Sequence, residues 1–226
     1  MKNKIKEMKG FTLVELLIVI ALIAILSVAV LATINPIEQA NKAKDSTTQN
    51  DAAEMMNAYE RYYANAQRYP WMEYTDGSSI TVDSAVNYSS KQVGFGICYG
   101  NKGTVDSDEV GSCNTTGTEM GLLVETDELK SSFANKTEFQ SANDEDQLWA
   151  IKLAGSGGGI YVCYIPKAKA NRQLTDKLYC IDSTNSTLIK VSASATDSCV
   201  ALPTTDAGWS TPTLTGEVGM FRCVPE

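Results

Sequence analysis

The six cysteines are the residues of this chain whose type and spacing predict covalent chemistry. Their number is even, their spacings are long, no two form a CxxC pair, and the chain contains no histidine. Such cysteines are typical of disulfide frameworks in exported proteins, whereas zinc sites usually combine closely spaced Cys and His. The sequence therefore predicts three disulfides in an oxidising compartment, formed by Cys98, Cys113, Cys163, Cys180, Cys199 and Cys223.

The pairing of these cysteines is open among fifteen connectivities. Pairing in chain order is our single preferred prediction, and it gives Cys98–Cys113, Cys163–Cys180 and Cys199–Cys223. Each bridge over a loop of this kind contributes about 2–4 kcal/mol to the free energy of unfolding.

The polar motifs of the chain do not predict an enzyme. Without histidine, Ser–His and Cys–His nucleophile pairs are impossible. The glycine-rich residues 155–159 lack the Lys-Ser/Thr of a phosphate-binding loop. Acidic clusters at residues 106–109 and 144–146 do not match an EF-hand and are predicted to be solvated loops, with a weak calcium site as the alternative. We expect no catalytic residue, no metal site and no cofactor.

Glu15 is an ionisable residue at the start of a long apolar segment. Ser27 is the only polar residue between positions 16 and 32, and residues 11–34 are long enough to span a bilayer core of ~30 Å. A carboxylate costs about 2.5–3.5 kcal/mol at mid-depth and less near the end of a span. Position alone leaves two interpretations, a tolerated interfacial carboxylate and a functional one.

The charges flanking this segment predict its orientation. Four lysines and one glutamate give residues 1–10 a net charge of +3, while residues 11–226 carry −11. The positive end is expected in the cytoplasm and the chain after Ile34 outside. The acidic body gives no reason to expect a nucleic-acid partner. A cleaved secretory signal fits poorly because the apolar run is too long and ends in Asn35-Pro36, which leaves a plain signal anchor as the alternative.

The sequence Lys9-Gly10-Phe11-Thr12-Leu13-Val14-Glu15, followed by the apolar run, resembles the processing site of type IV prepilins and type II secretion pseudopilins. The shared features are a basic leader, a glycine, an aromatic residue, and a glutamate four positions later. The resemblance covers residues 1–34 and extends loosely to about Pro70. It implies that prepilin peptidase cleaves between Gly10 and Phe11, that the new Phe11 amine is N-methylated, and that Glu15 meets that amine on a neighbouring subunit.

The same resemblance implies a fold, a set of partners and a location. The fold is α+β, with a long N-terminal α-helix, half membrane-spanning and half amphipathic, packed on an antiparallel β-sheet head. The partners are like subunits in a helical filament, prepilin peptidase, the pilus assembly platform, minor pilins and the membrane. The protein is expected as a single-pass protein of the cytoplasmic membrane before assembly and in an extracellular filament afterwards. The Cys199–Cys223 pair resembles the C-terminal disulfide loop of many pilins.

Residues 35–69 predict an amphipathic helix. Asn35, Pro36 and Glu38 form a helix-start pattern, and Pro36 predicts a loosening near Ile34 and Asn35. Apolar residues recur at three- and four-residue steps and predict one face that packs against a core, and Tyr69-Pro70 ends the helix. The members of this face are Ala52, Met55, Met56, Tyr59, Tyr62, Tyr63, Ala66 and Tyr69.

Residues 70–226 predict a β-rich head with short strands between turns. The predicted strands cover residues 80–82, 93–99, 122–124, 149–154, 160–165, 178–181, 188–191 and 219–224, with a hairpin-like turn at 155–159 and a short helix at 126–132. The chain thus divides into a leader (1–10), an assembly helix (11–34), an amphipathic continuation (35–69) and a disulfide-stabilised extracellular head (70–226).

These features favour a structural pilin subunit of a surface filament. A pseudopilin of a type II secretion system shares the whole N-terminal motif and is the first alternative, and a minor pilin is another. A membrane-anchored surface binding protein that never polymerises is the alternative from a different class, and the Gly10-Phe11 junction and Glu15 argue against it.

Overall fold

The computed structural model describes residues 10–33, 35–73, 80–99, 111, 120–155, 157–182, 187–191, 199, 202–203, 205, 208–209 and 220–225. The chain divides into two compact units, Met1–Ala40 and Asn41–Glu226, which are treated separately below.

The first unit is dominated by the apolar helix α1 (Leu13–Thr33). Leu, Ile, Val and Ala fill it, without Gly or Pro, and within the described part of the chain it is the one helix long and apolar enough to cross a membrane, over Leu13–Leu31 with a mean hydropathy of 3.0. The predicted apolar N-terminal helix is confirmed.

A second helix, α2 (Pro36–Ala66), follows after a short interruption. The Glu38 N–H donates to Asn35 Oδ1 at 3.2 Å, and the Gln39 N–H donates to the Asn35 carbonyl, also at 3.2 Å. Asn35 therefore caps the helix, and Pro36 occupies the first turn, where its missing N–H costs nothing. The helix start predicted at these residues is confirmed.

Within the second unit, α2 packs its predicted apolar face into the main core. Ala52, Met55, Tyr59 and Tyr62 are buried, and Met56, Ala66 and Tyr69 pack half-buried against them. Ala58 belongs to the same buried face although it was not among the predicted members of that face. The helix ends where Gln67 adopts a positive φ of 56°, before a 3-10 turn at Pro70–Glu73.

A four-stranded antiparallel sheet provides the other side of this core. Its order is β1 (Val86–Ser89), β2 (Leu148–Lys152), β3 (Ile160–Tyr164) and β6 (Arg222–Val224). A separate hairpin is formed by β4 (Tyr179–Asp182) and β5 (Thr187–Lys190). The predicted α+β class, with helix and antiparallel sheet, is confirmed.

Both faces of the sheet are buried. Because successive side chains of a strand point to opposite faces of the sheet, neighbouring residues of β2 lie in different cores. Leu148 and Ala150 of β2 lie in the core that contains α2, whereas Trp149 and Ile151 lie in a second core with Cys163 and other residues. The β2–β3 hairpin is closed through the glycine-rich stretch, where the Leu153 N–H donates to the Gly159 carbonyl. The predicted strands at 149–154, 160–165, 178–181 and 188–191 are thus confirmed within one or two residues.

Several predicted elements of the head were wrong. Residues 93–95 form a 3-10 helix, and the left-handed Gly96 (φ 88°) turns the chain immediately afterwards, so the predicted strand at 93–99 does not form. Leu122–Glu125 is a short α-helix, α3, instead of a strand, and the helix predicted at 126–132 is replaced by a turn and a 3-10 helix at Ser131–Asn135. Short buried apolar runs look alike whether they form strands or helical turns, which explains these errors.

Two further differences concern the ends of the sheet. Residues 80–84 form a turn in which the Thr81 N–H donates to Ser84 Oγ at 2.9 Å, so no strand forms there. The strand β1 was not predicted, although its sequence VNYS alternates and places Val86 and Tyr88 in the main core. The predicted strand 219–224 is shorter, and its first residue lies outside the described residues. Two short α-helices, α4 (Thr137–Gln140) and α5 (Lys169–Arg172), and 3-10 helices at Asp144–Asp146 and Thr175–Lys177 complete the described elements.

The disulfides correct the predicted pairing. Cys163 bonds to Cys223, and Cys180 bonds to Cys199. Cys163 and Cys223 lie directly opposite each other on β3 and β6, and this pairing between strands distant in sequence excludes the chain-order links Cys163–Cys180 and Cys199–Cys223. Cys98 is also disulfide-bonded, whereas Cys113 lies outside the described residues, so the predicted Cys98–Cys113 pair stays a prediction.

Candidate processing and assembly site

The start of α1 is organised by Thr12 and Glu15. The Thr12 N–H and the Thr12 hydroxyl both donate to Glu15 Oε2 at 2.8 Å, and the Glu15 N–H donates to Thr12 Oγ1 at 3.2 Å. This reciprocal arrangement is a capping box, in which the residue before the helix and the third residue of the helix satisfy each other's polar groups. The helix therefore begins with its only carboxylate held in a defined position.

The sequence predicted a role for Glu15 but none for Thr12. The signal was present, because Thr12-x-x-Glu15 directly before an apolar helix is the sequence pattern of a capping box. The structure thus brings the predicted Glu15 together with a residue whose role had not been assigned.

Gly10 and Phe11 form an open peptide junction next to this box. Phe11 is 88% exposed, and Gly10 has no heavy atom within 4 Å of the position that a Cβ would occupy. The fold of the chain would therefore accommodate a side chain at residue 10. Residues 1–9, the rest of the predicted leader, lie outside the described residues.

The surface of α1 has no polar stripe to face water. Its large apolar side chains are between 48% and 78% exposed, and none of the α1 residues described is buried. An apolar surface of this extent requires a lipid or protein environment.

A family model described as the prokaryotic N-terminal methylation motif matches residues 5–31. The motif supports the type IV pilin and pseudopilin family. No curated protein and no solved structure matches the chain. The pilin motif implies processing by prepilin peptidase, assembly into pilus-like filaments and membrane anchoring before assembly, and it points to a structural protein rather than an enzyme.

In the second unit of this pilin-like chain, α2 is joined to the head by an ion cluster around Asp146. Lys44 Nζ lies 3.1 Å from Asp146 Oδ1, Lys167 Nζ pairs with the same oxygen, and Ser141 Oγ donates to Oδ2 at 2.8 Å. Burial raises the pKa of Asp146, but the bonds from Lys167, Ser141 and Lys44 outweigh it and lower the pKa to about 2. The Asp146 side chain is only 9% exposed.

The acidic clusters were predicted to be solvated loops, and Asp146 corrects that prediction for residues 144–146. Asp144 is exposed, but Asp146 is enclosed by two lysines that the chain supplies from α2 and from the segment after β3. The cluster at 106–109 lies outside the described residues. Among the residues described, no group of three or more His, Cys, Asp or Glu could hold a metal ion.

Asp45 provides a second connection between α2 and the segment after β3. Its carboxylate is 2% exposed and accepts from the Lys167 N–H at 2.7 Å, the Ala168 N–H at 3.0 Å and Asn171 Nδ2 at 2.7 Å. A buried carboxylate with three donors is satisfied rather than penalised. Asp45 therefore links α2 to the segment after β3 through three hydrogen bonds.

Proposed function

We propose that the chain is a structural subunit of a type IV pilus-like surface filament. Prepilin peptidase cleaves after Gly10, the new Phe11 amine is methylated, and the subunit polymerises through α1. The observation that carries this proposal is the methylation motif at residues 5–31, which runs directly into an exposed apolar helix with a capped carboxylate at its start.

The chemistry of the site supports a pairing between Glu15 and the Phe11 amine of a neighbouring subunit. Cleavage creates a positive amine where the precursor has a neutral amide. Glu15 Oε2 is held by Thr12, whereas Glu15 Oε1 makes no hydrogen bond within the described residues and can accept from an incoming amine. Opposite charges attract strongly in a low-dielectric helix bundle, while each alone is penalised, so the pair would fix the register of assembly.

The apolar surface of α1 supports the same proposal. In the bilayer, lipid tails cover this surface, and helices associate there through packing and interhelical polar contacts rather than through the hydrophobic effect. Outside the bilayer, only other helices of the filament can cover it. Polymerisation therefore supplies the environment that the exposed side chains of α1 require.

The disulfides and buried polar contacts of the head suit the extracellular location that this proposal assigns to it. Two described disulfides and the Asp146 and Asp45 connections hold its segments and α2 together. The disulfides of the head favour a surface pilin over a small pseudopilin of a type II secretion system. A pseudopilin or a minor pilin remains the alternative function, since each shares the N-terminal motif.

The decisive experiment is the intact mass and N-terminal sequence of the protein in filaments sheared from cells. We expect a chain that begins with N-methylated Phe11 and is a major component of the filaments. Deletion of the gene should remove surface filaments. A subunit found only in the membrane with residues 1–10 attached contradicts the proposal, and loss of protein secretion with surface filaments intact favours the pseudopilin.

A further inference from the structure

The two described disulfides are nested in the sequence. Cys163–Cys223 spans 60 residues and encloses Cys180–Cys199, which spans 19. A chain that oxidises its cysteines in the order in which they leave the membrane makes different links. The first of these four cysteines to follow Cys163 is Cys180, 17 positions later, whereas the native partner Cys223 follows 43 positions after Cys180.

The folded sheet assigns Cys163 and Cys180 to different partners through one segment. Cys163 on β3 lies opposite Cys223 on β6. Tyr179, the residue before Cys180 on β4, exchanges two backbone hydrogen bonds with Phe221, at 2.7 and 3.0 Å. Residues 221–224 therefore connect β3 to β4, and this connection cannot form until that segment has been exported.

Both loop length and timing favour a link between Cys163 and Cys180 before that moment. The entropy of closing a flexible loop favours 17 residues over 60 by about sevenfold. During export that keeps pace with synthesis at about 5–20 residues per second, Cys180 precedes Cys223 by about 2–9 s. Disulfide formation takes seconds or longer, depending on the oxidant, so the two processes overlap in time.

Burial makes the native links resistant to later exchange. Each of the four cysteines is at most 1% exposed in the folded head. Thiol–disulfide exchange requires access of the attacking thiolate to a sulfur atom. A chain with a Cys163–Cys180 link lacks the pairing of β3 with β6, so its sulfurs stay accessible. Exchange therefore proceeds from the non-native link to the native pair and stops there.

We propose that a dithiol disulfide isomerase outside the cytoplasmic membrane is a partner of the head and resolves a Cys163–Cys180 link into the native pair. The inference rests on the export that the proposed function assigns to the head. It adds a partner of defined chemistry, a protein with a reactive thiolate that attacks accessible disulfides of an unfolded chain.

The exchange is balanced in electrons. The isomerase thiolate attacks the Cys163 sulfur, forms a mixed disulfide and releases the Cys180 thiolate. The Cys223 thiolate then attacks the Cys163 sulfur of the mixed disulfide, which forms Cys163–Cys223 and returns the isomerase thiolate. The thiols of Cys180 and Cys199 lose two electrons and two protons to the disulfide of a thiol oxidase, which becomes a dithiol.

The test follows the full-length chain in a bacterial host that keeps its periplasmic thiol oxidase and either keeps or lacks its periplasmic disulfide isomerase. Pulse-labelled chains are alkylated at intervals, and their disulfides are mapped. Without the isomerase, Cys163–Cys180 should exceed Cys163–Cys223 by about sevenfold at the end of the pulse, the ratio that loop closure alone gives. With the isomerase, Cys163–Cys223 and Cys180–Cys199 should replace it during the chase.

Two double variants are the matched controls. Cys180→Ser with Cys199→Ser removes the competing thiols, so Cys163–Cys223 should form at the same rate in both hosts. Cys163→Ser with Cys223→Ser should likewise form Cys180–Cys199 in both hosts. A third measurement does not depend on the folding of the variants. Wild-type chains purified in non-ionic detergent from the host without the isomerase should convert to the native links when a purified, reduced isomerase is added.

Three results overturn the inference. The first is wild-type chains that form Cys163–Cys223 equally fast in both hosts. The second is a Cys180→Ser, Cys199→Ser variant that depends on the isomerase as strongly as wild type, which places the substrate link elsewhere. The third is purified chains with the Cys163–Cys180 link that the added isomerase does not convert.

The mass and filament assays of the proposed function are read in parallel. Filaments of subunits that begin at Phe11, together with native links that form without the isomerase, remove the inference alone. A chain that keeps residues 1–10 and forms no filaments, but still needs the isomerase for Cys163–Cys223, removes the proposed function alone.

Discussion

Thr12 and Glu15 close a hydrogen-bonded ring at the start of α1, with two donors from Thr12 on one carboxylate oxygen and the Glu15 N–H returned to the Thr12 hydroxyl. The ring lies directly after the Gly10-Phe11 junction. One short segment thus contains the predicted cleavage site, the new amine and the carboxylate proposed to meet that amine on another subunit. The three steps of processing, methylation and assembly can be tested separately by single substitutions within it.

Gly10→Val should leave the leader attached and prevent filament formation. No atom lies within 4 Å of the Cβ that the substitution adds, so the helix should fold and insert normally. The peptidase, not the fold, is therefore the partner expected to reject the side chain. The measurement is the intact mass of the membrane-associated protein, with Gly157→Val as control because Gly157 also has open space around its Cβ position. Normal cleavage of Gly10→Val contradicts the predicted site.

Glu15→Val should insert into the membrane at least as well as wild type and should fail to assemble. The substitution removes a polar group from the start of an apolar span, which lowers the cost of insertion, but it also removes the partner proposed for the Phe11 amine. Glu15→Gln keeps the shape without the charge and should also assemble poorly. Filament yield by shearing, normalised to membrane-inserted protein, is the measurement, and Glu54→Gln on the exposed side of α2 is the control. A wild-type yield from Glu15→Val refutes the pairing.

Thr12→Val should reduce assembly, whereas Thr12→Ser should retain it. Valine removes the hydroxyl that donates to Glu15 Oε2 and accepts from the Glu15 N–H, and serine keeps both contacts. The remaining hydrogen bond from the Thr12 N–H to Glu15 Oε2 should preserve some assembly, so the loss of filament yield should be smaller than that of Glu15→Val. The same sheared-filament yield measures the effect. Equal yields for the valine and serine variants show that the hydroxyl has no role in assembly.

The sequence predicted those elements that depend on local pattern or on long uniform composition. The length of the apolar run predicted α1, the three- and four-residue spacing predicted the buried face of α2, and Asn35-Pro36 predicted its start. The head was predicted less well, because the short apolar runs at 93–99 and 122–124 form helical turns whose geometry is set by tertiary packing. The Cys163–Cys223 link depends on a pairing between β3 and β6 that no local pattern encodes.

The Asp146 cluster predicts a specific dependence of stability on pH. Its folded pKa of about 2 lies below the ordinary value of 3.8, so the cluster stabilises the fold fully above pH ~4 and loses that contribution as pH falls towards 2. Lys44 and Lys167 face the carboxylate, and Glu145 lies 3.8 Å from Lys167. Allowing for screening by solvent, the contribution is about 1–2 kcal/mol.

Asp146→Asn should therefore lower the melting temperature of the full-length chain at neutral pH by about 2–8 °C. The difference between wild type and Asp146→Asn should be constant above pH ~4 and should shrink as the pH approaches 2, because Asp146 of the wild type becomes increasingly protonated. Asp176→Asn is the control, since Asp176 is exposed. A difference that does not change between pH 5 and pH 2 shows that Asp146 contributes through packing rather than through its charge.

The last prediction concerns the disulfides, which we expect to protect the head rather than to hold the filament together. Cys163–Cys223 joins β3 to β6 across 60 residues, and Cys180–Cys199 closes a shorter loop of 19. By the loop-entropy relation, the longer link contributes about 4 kcal/mol and the shorter about 3 kcal/mol to the free energy of unfolding. Both lie in the second unit, whereas the proposed assembly contacts belong to α1 in the first. Reduction of intact filaments should therefore make the head sensitive to protease before the filaments dissociate, as measured by limited proteolysis and by sedimentation of the same sample.

Alkylation of freshly isolated, denatured, non-reduced filaments should find all six cysteines oxidised, and peptide mapping should recover Cys163–Cys223 and Cys180–Cys199. Three or more freely alkylated cysteines refute the oxidised framework. Filaments that dissociate before the head becomes protease-sensitive refute the prediction that the disulfides protect the head while α1 holds the filament together.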